Sequence, residues 1–143
     1  MPRLTLSKSL KIITAAFAKA KDLGLKPLGI AVLDEGGHLV AFQRQDGASF
    51  LRPEIASGKA FGALATGMDS RALGKAAVER PHFFVGLSGV SDGRIVPVAG
   101  GVLIRDRKGE IIGAVGISGD TSDNDEACAI AGIEAAGFSA GVA

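Results

Sequence analysis

Glycine recurs inside the most hydrophobic stretches of this chain. LGIAVLD at 28–34, PVAGGVLIRD at 97–106 and EIIGAVGIS at 110–118 all set Gly among Val, Ile or Leu. Runs of this kind predict strands, with glycine at tight turns, bulges or points where another backbone comes close. Of 143 residues, 21 are glycine, and there is neither Trp nor Tyr. The apolar fraction of 47% supplies enough buried surface to offset the entropy of folding, and the length suits one domain spanning residues 1–143.

The rest of the chain supplies helices. Leu6, Leu10, Ile13, Phe17, Ala20 and Leu23 recur at three or four residues, which predicts an amphipathic helix over 6–23, capped by Thr5 or Ser7 and ended by Gly24. Leu28–Asp34, an EGG turn and His38–Arg44 predict an antiparallel hairpin. Its first strand is apolar on both alternating faces, so helices should cover one face and a second layer, which a partner subunit could provide, the other. Pro53 suits the first position of a helix that ends near Gly67, and a short helix runs from Ser70 to about Arg80.

PHFFVGLSGVSDG, with no clean period, reads as a shaped loop with at most a brief helical turn. RIVPVAGGVLIRD reads as strand, bulge or bend at Gly100-Gly101, and strand; the turn Asp106–Gly109 then leads into the last strand. Asp123 and Glu126 have capping-box spacing for a helix that runs to about Ala136 and stops at Gly137. Hairpin-joined strands with helices before, between and after them predict an α+β domain on one antiparallel sheet.

Charge and cysteine content narrow the function classes. A net charge of +1 gives no basic excess for nucleic acid. Cys128 is the one cysteine, so no intramolecular disulfide forms, and no apolar run reaches the length of a membrane span or signal-peptide core. The expected location is the cytoplasm. His38, His82 and Cys128 form no HExxH or CxxC pattern, which argues against zinc. Neither GLSG at 86–89 nor GISG at 116–119 completes a G-x-S-x-G nucleophile elbow. GISGDTSDNDE puts a glycine loop before a helix N-terminus, a phosphate-binding arrangement, but Asp120, Asp123, Asp125 and Glu126 would repel an anion and suit the helix dipole instead.

Individual side chains leave open alternatives. His38 is either a turn-end histidine with one satisfied hydrogen bond or a ligand. His82, flanked by Phe83 and Phe84, suits a flat hydrophobic ligand or axial contact to haem iron, and equally a solvated loop. Arg52, Glu54 and Lys59 near the start of the second helix read first as solvated surface charges, and Cys128 as a small packing residue.

Taken together, LGIAVLDEGGHLVAFQRQDGA, PEIASGKAFGA, GLSGVSDGRIVPVAGGVLIRD and GEIIGAVGISGDTSDNDEACA resemble the GlcG/HbpS family, also described as haem-degrading or PduO C-terminal-like. The likeness covers nearly the whole chain. Its most specific parts are DEGGHLVAFQRQDGA, PVAGGVLIRD and IIGAVGISG. The resemblance implies a profilin-like α+β fold with a central antiparallel sheet, a homo-oligomer, and haem binding as in some members; it implies no settled reaction.

The resulting expectation is a small-ligand-binding protein for haem or a related tetrapyrrole. His82 or His38 would be axial ligand, with Phe84, Arg52, Lys59 and Asp120 around the site. The alternative is a cofactor-independent enzyme acting on a small organic acid or aromatic catabolite. There Lys59 or Arg52 would hold a carboxylate and His82 or Asp120 would move a proton.

Overall fold

The computed structural model describes residues 3–141. Helix α1 spans Leu6–Leu23, strands β1 and β2 span Gly29–Asp34 and Leu39–Arg44, and helices α2, α3 and α4 span Arg52–Thr66, Ser70–Glu79 and Pro81–Val90. Strands β3 (Gly101–Arg105) and β4 (Ile111–Ser118), helix α5 (Ser122–Ala135) and the two-residue strand β5 (Ser139–Ala140) complete the chain. The strands form one sheet in the order β2-β1-β4-β3-β5, with every neighbouring pair antiparallel. The α+β class and the single antiparallel sheet stand as expected.

Local chemistry sets the element ends. Thr5 caps α1 by accepting from the Lys8 backbone N–H, and Gly24 stops it at φ 67°. In the hairpin turn the Asp34 carboxylate accepts from the backbone N–H groups of Gly36 and His38, which folds the EGG segment back on itself. The cap of α5 differs from expectation. Thr121 accepts from the Asn124 N–H, and Asp123 lies inside the first turn, so the sequence spacing is displaced by two residues from the side chain that does the capping.

Both faces of the sheet are covered by the chain itself. On one, α1 and α5 pack Ile12, Ile13, Cys128 and Ile133 against Ile30, Val32, Val102, Val115 and Ile117; full burial of each large aliphatic side chain contributes about 1.5–3 kcal/mol. On the other, α2 lies across β4, β1 and β3, so the second cover is a helix and not a partner subunit. The approach there is close. A Cβ at Gly116 would overlap the carbonyl oxygen of Ala56, and one at Gly101 that of Lys59, so glycine in the strands and small residues in α2 allow helix and sheet backbones to touch.

Two further expectations are corrected. PHFFVGLSGV forms helix α4, because Pro81 starts it and Arg80 accepts from Phe83 and Phe84; the absence of an apolar period reflects a helix with no buried residue. Residues 94–98 form no strand. Pro97 has no N–H to give, and the Val96 N–H donates to Gly58 of α2 instead of to a neighbouring strand.

Candidate functional site

Because the inner side of α2 is occupied by its contact with the sheet, its outer apolar residues are left to line a groove. Leu51, Pro53, Ile55 and Phe61 of the α2 region meet Leu33, Gly37 and Leu39 of the hairpin on one side, and Gly93, Arg94 and Val96 on the other. The volume is about 560 Å³, within the range of small-molecule sites. Leu39 and Leu51 are exposed at its edge. Two charged side chains, Glu54 and Arg94, also line it.

Arg94 reaches the groove through an unusual turn. Asp92 and Gly93 both have positive φ, 55° and 69°, and the Gly93 N–H donates to Ser88 while that of Arg94 donates to Ser91. This reversal carries the chain from the end of α4 back over α2. There Gly58 has no side chain to block it, since a Cβ would stand 2.7 Å from the Arg94 carbonyl oxygen. The Arg94 guanidinium then lies 3.8 Å from the centroid of the Phe61 ring. It makes no hydrogen bond or ion pair within the described residues.

A second polar cluster sits behind α2. The Lys59 ammonium donates to the Ile117 carbonyl at 2.8 Å and to Asp125 at 3.3 Å, and both side chains are almost wholly buried. Burial pushes the Lys59 ammonium down and the Asp125 carboxyl up, each against the attraction of the other. Asp125 also accepts from the Asp120 N–H at 3.1 Å, and Arg52 donates to the Ser118 hydroxyl at 2.7 Å. The Asp120 carboxylate accepts from Asn124, from the Lys26 N–H and from the Thr121 N–H, which holds its pKa at about 2. The expectation of a solvated Lys59 is thus corrected: α2 faces the sheet at this position, and a carboxylate from α5 compensates the charge.

The structure therefore gathers Arg52, Lys59 and the backbone N–H of Asp120 around the end of β4, on Ser118, Ile117 and Asp125, and leaves the histidines outside that cluster. His38 stands between two residues of the groove, but its imidazole turns to a different recess, with Nδ1 3.3 Å from Asp34. His82 and Phe84 lie on α4, which touches α3 and no other element among the described residues. The imidazole of His82 is exposed and Phe84 half-buried. Arg94 and the outward stripe of Ile55 and Phe61 were missed as site residues. The signal was present in Asp92-Gly93, a turn dipeptide directly before an arginine.

Comparison with known proteins adds three findings. A family model described as haem degrading protein HbpS-like matches residues 4–134. An uncharacterized 15.0 kDa protein from the dhaT-dhaS intergenic region of Citrobacter freundii is 32% identical over 122 residues, covering 85% of this chain and 84% of that protein. Among solved structures, a PduOC:heme complex superposes with TM-score 0.82 at 26% identity, covering 92% of this chain and 94% of that one. HbpS superposes with TM-score 0.79 at 28% identity, covering 94% and 90%.

Proposed function

The chain belongs to the HbpS-like family, and from that premise we propose that it binds haem or a related tetrapyrrole in the groove between α2, the β1–β2 hairpin and residues 93–96. The observation that carries this reading is the groove, whose aliphatic and aromatic walls suit the face of a macrocycle and whose edge holds Arg94 for an acidic substituent. The likeness to a solved haem complex supports it.

Among the described residues none that lines the groove is His, Cys or Met, so in this reading the iron ligand comes from outside it. About 12 Å of helix separates His82 from Val90, after which the chain turns into the groove. In our reading the ligand is His82 of a second copy, because among the described residues α4 packs on α3 alone and exposes the imidazole along with Val85 and Val90. Phe84 adds apolar surface on that helix. His38 is the weaker ligand candidate, since its imidazole turns to the recess beside Asp34 and not to the groove. Arg52, Lys59 and Asp120 then serve the frame that holds α2 and the groove in place.

Hemin titration followed at the Soret band tests this. Wild type should show a saturable shift, Ile55→Glu should weaken binding by about tenfold or more, and His82→Ala should change the band position while His38→Ala leaves it alone. Absence of a shift, or hemin affinity unchanged in Ile55→Glu, overturns the groove as a haem site. A hemin complex that stays monomeric on sizing and keeps its His82-dependent band removes the second copy.

A further inference from the structure

Arginine side chains on a surface usually point into solvent or pair with a carboxylate; that of Arg94 lies on an aromatic ring and has no ion pair among the described residues. Its backbone is seated against α2, where Gly58 leaves space for its carbonyl and the Val96 N–H donates to Gly58. Its far end is fixed on the Phe61 ring, three residues and almost one turn further along the same helix. The residue therefore touches one helix at both ends, an arrangement that lowers the rotamer entropy a ligand has to remove.

The donors remain free. With no acceptor bonded to it among the described residues, the exposed guanidinium keeps its N–H groups for a group outside the chain, beside the apolar lining of the groove. Glu54 lines the same groove without pairing with Arg94. Its negative charge disfavours a second anion on its side, so the groove is charge-asymmetric.

We propose that Arg94 is the carboxylate-recognition residue of this groove, selecting flat apolar ligands that carry an acidic group at one edge. This rests on the groove reading above but not on haem. A planar aromatic acid without a metal satisfies the same geometry.

The test compares each acidic probe with its neutral ester in wild type, Arg94→Gln and Arg94→Lys: hemin against hemin dimethyl ester, and 1-pyrenebutyrate against its methyl ester, by absorbance and fluorescence titration. Wild type should prefer the acids by about tenfold, the equivalent of one charge-assisted bidentate contact. Arg94→Gln should remove that preference while leaving ester affinity unchanged, and Arg94→Lys should recover part of it. An unaltered melting temperature would show that the exposed side chain was removed without loss of fold.

If pyrenebutyrate shows the Arg94-dependent preference and hemin does not bind, the haem reading fails and the carboxylate subsite stands. If wild type prefers neither acid over its ester, or the preference survives in Arg94→Gln, the proposal is overturned.

Discussion

Lys59 of α2 and Asp125 of α5 meet at 3.3 Å across the sheet's end, with side chains only 4% and 2% exposed. Removing one partner strands the other charge away from water. We expect Lys59→Met or Asp125→Leu to cost about 3–5 kcal/mol each, and the double variant to cost less than the sum of the two. Urea unfolding of the four proteins measures the coupling, and strict additivity would show that the pair does not act as a unit.

Close contact between α2 and β4 makes glycine obligatory at one position and dispensable at another. Gly116→Ala drives a methyl into the Ala56 carbonyl and should destabilise by about 3 kcal/mol or more. Gly86→Ala, on exposed α4 with open space around it, should stabilise by about 0.5–1 kcal/mol. Thermal melts of the two variants should move in opposite directions; a harmless Gly116→Ala would mean that helix and sheet are not in backbone contact.

Asp120 supplies a pH signature. Bonded to Asn124 and to the N–H groups of Lys26 and Thr121, its native carboxyl stays at about 2, below its ordinary 3.8. A depressed value stabilises the native state above pH 3.8, and that contribution is lost as pH falls through 2. Carboxyl carbon shifts followed by NMR should place the Asp120 midpoint near 2, and Asn124→Ala should raise it. A midpoint near 3.8 in the native protein would show that these bonds do not form in solution.

Cys128 should be chemically silent in the folded protein. Burial, with Asp125 nearby, pushes its thiol up to about 11, and the side chain has no access to solvent. A thiol reagent at pH 8 should label it only after denaturant is added. Rapid labelling without denaturant would show that α5 opens readily.

Period and punctuation made most of the frame legible. Leu6–Leu23 announced α1, the EGG turn announced the hairpin, and glycine among β-branched residues announced the strands and their close backbone contacts. What failed did so because the deciding partner was distant in sequence. Lys59 looked solvated since Asp125 lies 66 positions away, and α4 looked like a loop because an exposed apolar helix leaves no amphipathic trace. Among site residues, Arg52, Lys59 and Asp120 were picked out singly, but nothing local showed that all three meet at the end of β4. Arg94 acquires significance only when the Asp92-Gly93 reversal lays it on Phe61.

The narrow seam between α2 and the strands divides that helix into two halves with different evolutionary freedom. Ala56, Ala60 and Ala63 are wholly buried on the side that meets the strands, and on the flank Gly58 and Gly62 leave room for Val96, Ile95 and Leu73, where a Cβ would overlap. Ile55 lines the groove, whereas Phe61 both lines it and packs against the core cluster of Leu33, Ala60 and Leu103. A lineage could re-tune its ligand at position 55 with the scaffold beneath it unchanged.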